Sequence, residues 1–385
     1  AELTRAIEKV RAAGTVSLER RAQAEAALQR GDTEAADGIL AELEAAEAAR
    51  SAEHGRAAAE TAKGRGAIAY MNAPQAALAH YRRAVEYAPE DAVAWNRVGI
   101  LNYRLGDMAA AEEALERALA LGSAAGDREA EAIALGNLGL VARTRGELAK
   151  AGDYHRRSLA LAEELGDKEG MAAQLGNLGL VAQTRGELGK AGDHHNRALA
   201  LNEALGRKAG MAAQLGNLGL IAFTRGELGK AGDYLNRALA LNEALESKAG
   251  MAIQLGNLGN IARTRGELAE AGDYHNRALA LNEALGRKEG MANDLGNLGL
   301  VARTRGELAK AGAYHNRALA LNEALGHKAG MATNLNNLGN LARTRGELGK
   351  AEGYYRRALG LFEQVGARRE IAQTKENPRA VGLGI

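Results

Sequence analysis

Between Ala132 and Ile371 the apolar and polar positions of the chain recur every 40 residues, six times over. Each copy carries Leu-Gly-Asn-Leu-Gly, or a close variant, followed by Thr-Arg-Gly-Glu-Leu. In the copy from Ala172 to Met211, Leu175, Leu178, Gly179, Val181 and Ala182 fall three and four residues apart, which predicts a first amphipathic helix, helix A, ending at Gly186. Glycine suits the left-handed position just past a helix end, and Arg185 sits beside the exposed carbonyls at the negative end of the helix dipole. A second helix, helix B, is expected from about Glu187 through Leu188, Ala191, Leu199, Leu201 and Leu205, with Gly206 as its stop. Within it Asp193 and Arg197 stand four apart, as do Asp153 and Arg157, Asp233 and Arg237, and Asp273 and Arg277, an order that favours ion pairing on a solvated face.

Two helices per unit, joined and followed by short turns, predict an all-α fold: a right-handed α-solenoid superhelix of helix-turn-helix hairpins. A lone hairpin leaves its apolar face bare, so Leu138, Leu178, Leu218, Leu258, Leu298 and Leu338 need neighbouring units to bury them. The frame extends backwards with less fidelity. Residues 57–131 hold two divergent units, Ala58 to Asp91 and Ala92 to Glu131, and residues 1–56 hold a helix from about Leu3 to Ala13 followed by a degenerate hairpin, Arg20 to Arg30 and Thr33 to Arg50, that caps the stack. Residues 132–371 are the six near-identical units. Residues 372–385 begin another helix A, which Asn377-Pro378 is expected to break, leaving a tail.

Composition narrows the chemistry. Aromatics make up only 3% of the chain while glycine numbers 49, so the core must be Leu, Ala and Val fitted closely. Proline occurs only at Pro74, Pro89 and Pro378, in keeping with nearly continuous helix. Without cysteine there is no disulfide, thiolate ligand or thiol nucleophile. No apolar run approaches the roughly 18 residues of a membrane span, and Ala1 to Val10 lacks a signal-type apolar region, so a cytoplasmic protein with no membrane contact is expected. The net charge of +2 is spread thinly, with no dense basic face and no interleaved aromatics, which argues against nucleic acid as a partner.

Candidate chemistry thins out in the same way. His155, His195, His275 and His315 recur once per unit on the B helices, too far apart to share a metal, and read as packing or surface residues. Gly186-Glu-Leu-Gly189-Lys190-Ala191 echoes a phosphate loop, yet the spacing is wrong, no strand precedes it and Ala191 stands where a hydroxyl would meet magnesium. No catalytic constellation stands out from the repeat background, so neither an enzyme nor a cofactor is expected.

Trp95, Gly99, Ala111 and Ala118, and before them Tyr81, Ala84 and Pro89, together resemble the tetratricopeptide repeat pattern of a bulky residue, a small glycine, then Ala, aromatic, Ala and Pro. The 40-residue length and Leu-Gly-Asn-Leu-Gly are similar more narrowly to the Pins-type and kinesin-light-chain branches, whose superhelices bind extended peptide segments of partner proteins. The chain departs from that pattern where histidine replaces the usual helix B aromatic and where Gly152, Gly192, Gly232, Gly272 and Gly312 fall within helices.

The resemblance implies that the A helices line a concave groove. Mapped on it, Asn137, Asn177, Asn217, Asn257, Asn297 and Asn337 form a ladder of amides that can pair with the N–H and C=O groups of an extended peptide. With helices about 8–10 Å apart and an extended chain rising about 3.3 Å per residue, one Asn meets the ligand every few residues. Leu180, Leu220, Phe223 and Asn260 vary the stripe, and Arg143, Arg263, Arg303 and Arg343 offer a second ladder suited to an acidic segment. Arg145, Arg185, Arg225, Arg265, Arg305 and Arg345 stand at the helix A ends, where they are expected to satisfy carbonyls. The competing reading gives each Asn a structural task, bridging neighbouring helices and setting the superhelical twist. The expected function is a scaffold or adaptor that holds a protein or peptide partner. The alternatives are a ligand-sensing regulatory segment of a larger signalling protein and a self-assembling structural solenoid, so self-association stays open.

Overall fold

The chain was analysed as a computed structural model, which describes residues 18–48 and 55–379. The helix expected from Leu3 to Ala13 lies outside them. The described residues form nineteen α-helices. They divide into two compact units, Ala1–Leu201 and Asn202–Ile385.

In the first unit α1 (Leu18–Gln29) and α2 (Thr33–Ala48) make the opening hairpin, joined at Gly31. Three hairpins follow: α3 (Gly55–Ala69) with α4 (Pro74–Tyr87), α5 (Ala92–Leu105) with α6 (Met108–Ala125), and α7 (Arg128–Thr144) with α8 (Leu148–Leu165). Then come α9 (Lys168–Thr184) and α10 (Leu188–Ala204), whose last residues belong to the second unit. The second unit continues with α11 (Lys208–Thr224), α12 (Leu228–Ala244), α13 (Lys248–Arg265), α14 (Leu268–Ala284), α15 (Lys288–Thr304), α16 (Leu308–Ala324), α17 (Lys328–Thr344), α18 (Leu348–Gln364) and α19 (Arg368–Arg379). From α3 on, odd numbers are A helices and even numbers B helices. The A helices open one turn ahead of the hydrophobic frame, α9 at Lys168 for instance, because their first turn is polar and carries no periodic signal. The terminal helix α19 opens at Arg368 and runs through Asn377 and Pro378 rather than breaking there. Pro378 lies one residue from the helix end, so its missing N–H removes no more than one late hydrogen bond.

Turn chemistry explains the regularity. Glycines at 20-residue intervals, among them Gly146, Gly166, Gly186 and Gly206, take φ between 63° and 88° and end the helices as the sequence predicts. Glu246 occupies one of these left-handed positions with φ 51°. Asp91, Asp107, Asp127 and Asp167 cap the helices that follow them by accepting hydrogen bonds from Ala94, Ala110, Ala130 and Gly170.

Burial is shared between neighbours, as the lone leucine faces require. Leu138 packs with Ala111 and Leu115 of the preceding hairpin, Leu258 with Leu239 and Ala278, Leu298 with Leu279 and Ala318, and Leu338 with Leu319, Ala358 and Phe362. Within each unit consecutive A helices touch, α5 with α7 and α7 with α9, and α11, α13, α15 and α17 in series, more than any two consecutive B helices do. The A helices therefore lie on the tighter, inner side of each stack.

The histidine series fills the aromatic place of helix B. A Cβ added at Gly139 would fall 2.7 Å from His155 Nδ1, at Gly259 2.7 Å from His275 Nε2, and at Gly299 2.6 Å from His315 Cε1. Tyr81 against Gly66 and Tyr355 against Gly339 make the same fit, and Leu235 against Gly219 a smaller one. His155, His195, His275 and His315 are fully buried, so they pack the core.

The surface pairs differ from the expected i,i+4 set. Arg197 approaches Glu163 at 3.8 Å and Arg237 approaches Glu203 at 3.7 Å, so the long side chain reaches the previous B helix rather than the Asp on its own; Arg317, whose helix has Ala313 in place of that Asp, approaches Glu283 at 3.6 Å in the same way. Arg265, Arg305 and Arg345 do satisfy carbonyls, those of Leu228, Leu268 and Leu308 at the start of the preceding B helix, at 2.8, 2.6 and 2.6 Å.

Candidate functional site

In the second unit the inner faces of α13, α15 and α17 enclose a cavity of about 950 Å³. Of the sequence-selected residues it brings together Asn257, Asn260, Asn297 and Asn337, and Leu300 lines it beside them. Among the described residues the side chains of Asn257, Asn297 and Asn337 make no hydrogen bond, although each is half-buried. Asn137, in the first unit, behaves differently: its Nδ2 donates to Asn96 Oδ1 of the preceding A helix at 2.9 Å. That contact joins two consecutive A helices. Asn177, Asn217, Leu180 and Leu220 are half-buried on their own A helices, and Phe223 lies half-buried against the cluster of Leu235, Leu255 and Leu258.

The arginine series does not join this cavity. Arg263, Arg303 and Arg343 are half-buried one turn further along and are absent from its lining, and Arg143 belongs to the first unit. Nε of Arg143 and of Arg263 is buried without an acceptor. Arg143 and Arg303 instead add positive potential to His155 and His315.

The cavity has a local cause in sequence. On α9, α13, α15 and α17 the residue three before the ladder Asn faces the glycine of Gly-Asn-Leu on the previous A helix. Where it is Gln174 or Gln254, the long amide lies over Gly136 or Gly216, with Nε2 at 2.7 and 3.1 Å from an added Cβ. In the next two units the position is Asp294 and Asn334, one carbon shorter, and the corresponding gaps at Gly256 and Gly296 open to 3.5 and 3.8 Å. Gly136 and Gly216 are buried, whereas Gly256 and Gly296 are half-exposed and line the cavity.

A carboxylate at this position also rearranges its partners. Asn242 and Asn322 donate from Nδ2 to Ala238 and Ala318 of their own helix turn, at 2.8 and 2.9 Å. Asn282, at the same place, turns to Asp294 and donates to its Oδ2 at 2.8 Å, since a carboxylate is the stronger acceptor. His155 Nδ1 lies 2.9 Å from Gln174 Oε1 and His315 Nδ1 lies 3.3 Å from Asn334 Oδ1. The Asn334 amide nitrogen is committed to Gly330 O at 2.9 Å, so its oxygen faces the ring and Nδ1 is the donor. Nε2 of His155 and of His315 is then a buried lone pair with no partner, and protonating it would strand an N–H. Burial, opposed by that hydrogen bond and reinforced by Arg143 or Arg303, lowers both imidazoles to about 4.

A family model, tetratricopeptide repeat, matches residues 90–164, 170–244, 250–324 and 291–364. The chain belongs to the tetratricopeptide repeat family. No curated protein sequence matches it. Among solved structures it is similar to BtubC (BKLC) from P. vanneervenii, with 24% identity, 57% of this chain and 91% of that one covered, and a TM-score of 0.51. It is also similar to a Rap protein in complex with competence and sporulation factor, at 13% identity, 97% and 99% coverage and a TM-score of 0.61. A third is the signal transduction ATPase PH0952 from Pyrococcus horikoshii, described as having a tetratricopeptide repeat sensor, at 12% identity, 89% and 54% coverage and a TM-score of 0.65. At these identities the likeness is one of fold.

Within this tetratricopeptide stack, reasoning from sequence missed Asp294, Asn334, Asn282, Asn322 and His327, all of which line the cavity. The available signal was a break in the repeat, Gln to Asp and Asn at one position in otherwise near-identical units. Among the described residues no group of three or more His, Cys, Asp or Glu is placed to hold a metal, and no helix is long and apolar enough to cross a membrane.

Proposed function

We propose that this tetratricopeptide chain is a protein-interaction scaffold whose inner A-helix face holds an extended segment of a partner, gripping its backbone through side-chain amides. The observation that carries this reading is that Asn257, Asn297 and Asn337 converge on one cavity with half-buried amides that have no hydrogen bond within the protein among the described residues. Each amide keeps both a donor and an acceptor open to the cavity, which the N–H and C=O groups of an extended peptide can pair with. Leu300 and Ile253 add apolar contact, and Asn260 a further amide. An acidic segment would need Arg143, Arg263, Arg303 or Arg343, which lie outside this cavity.

The likeness to a signal transduction ATPase with a tetratricopeptide repeat sensor favours a second reading, in which capture of the segment regulates an attached effector. Both readings need the same groove. The test is a triple variant, Asn257→Ala, Asn297→Ala and Asn337→Ala, compared with wild type for capture of partners from the native lysate and for thermal melting. The expected result is loss of capture with the melting curve nearly unchanged. Undiminished capture would remove the amides from the binding role, and a large fall in melting temperature would give them a structural one.

A further inference from the structure

We infer that the cavity over Asp294 takes a cationic group, a protonated amine or a guanidinium, as the specificity-determining contact of the bound segment; this rests on the peptide-binding reading above. Asp294 is 5% exposed, lines the cavity and replaces the neutral amide found at Gln174, Gln214, Gln254 and Asn334. A buried carboxylate is costly unless its oxygens are matched. Here Oδ2 has one neutral donor, Asn282 Nδ2. Oδ1 accepts no hydrogen bond within the described residues, and the nearest basic atom, His275 Nδ1, stands 3.6 Å away, beyond hydrogen-bond reach.

The same oxygen faces the opening above Gly256, lying 3.5 Å from where a Cβ on that glycine would stand. A second acceptor, Asn282 Oδ1, lines the same cavity without a donor; its residue is 4% exposed. The site is therefore rich in unmatched acceptors around one negative charge, set between Asn257 and Asn297, which would hold the backbone of the same segment. The other charges in the lining, Arg287, Lys288 and Glu289, are exposed and screened by solvent. They leave Asp294 as the one buried charge among the cavity residues. Asp294 Oδ1, the unmatched Asn282 Oδ1 and the exposed Asn293 amide offer acceptors for the several donors of a guanidinium, and a primary amine fits the same acceptors.

The probe is a bead-bound random hexapeptide library with free amino termini, together with its amino-acetylated duplicate, screened against the full chain and against Asp294→Asn and Asp294→Gln. The glutamine variant restores the His–Gln arrangement of His155 and Gln174, and melting of both variants reports their folding. Wild type is expected to retain acetylated beads enriched in Lys and Arg. If the amino terminus itself is the cation, acetylation abolishes retention instead. Either preference should fall about tenfold or more in both variants, the loss of one charge-assisted hydrogen bond. Asn297→Ala should lower retention of all beads alike. Cationic preference that persists in Asp294→Asn, or wild-type enrichment of neutral or acidic sequences, overturns the inference and leaves the peptide reading standing. Retention of no bead by wild type overturns both.

Discussion

Acid should loosen the second unit at His315, and the size of the effect follows from its surroundings. The ring is fully buried against Gly299, its Nδ1 hydrogen donated to Asn334 and its Nε2 without a partner, and its pKa is lowered to about 4. A histidine held below its unfolded value of about 6.5 binds fewer protons in the folded state across that window. Stability is therefore complete above about pH 6.5 and is lost as the pH falls towards about 4. At about pH 5 the linkage is worth roughly 2 kcal/mol, which for a unit of this size is about 4–8 °C in melting temperature. The measurement is thermal unfolding by circular dichroism at about pH 7.5 and about pH 5 for wild type and His315→Leu. Leucine already occupies this place at Leu235. The variant should lose that much less melting temperature on acidification, whatever its stability at neutral pH. An equal acid-induced fall in both proteins would refute the argument from the stranded Nε2, because other groups would then be responsible.

The other predictions test separate parts of the stack. Glu246→Gly should raise stability by about 1 kcal/mol, seen as a higher melting temperature, because Glu246 occupies a left-handed turn position at φ 51° that glycine fills elsewhere. Gly299→Ala should destabilise by about 1–3 kcal/mol despite alanine's better helix propensity, since its Cβ would meet the His315 ring at 2.6 Å. Gly192→Ala, with nothing within 4 Å, should stabilise by about 0.5–1 kcal/mol in the same denaturation assay. Glu44→Ala should cost about 1.5–3 kcal/mol and expose the opening hairpin to protease, because it strips the fully buried carboxylate that Arg65 and Arg83 meet at 2.8 and 2.9 Å while Asp37 still pairs with Arg65.

The candidate site shows where legibility stopped. The Asn ladder is the same in every copy, and Asn257, Asn297 and Asn337 do line the cavity. Identity between copies gave no reason to separate Asn137, whose amide is spent on Asn96, from those that stay unpaired. That distinction depends on what the preceding A helix presents 41 residues earlier. Arg143, Arg263, Arg303 and Arg343 share the A-helix stripe that the resemblance places in the groove, and one further turn is enough to carry Arg263, Arg303 and Arg343 out of the cavity lining.

By itself the sequence determined the hairpins, their period and their turns, because helical spacing of Leu and Ala and a glycine needing positive φ are local requirements that each copy states for itself. Only the tertiary structure decided which polar groups are left without partners. A histidine, a glutamine and a glycine some 20 to 40 residues apart meet on three different helices, and the difference between Gln254 and Asp294 becomes a cavity only once Gly216 and Gly256 are placed beneath them. Close packing turns the loss of one methylene there into open space, and a change of charge at the same atom into an unmatched acceptor.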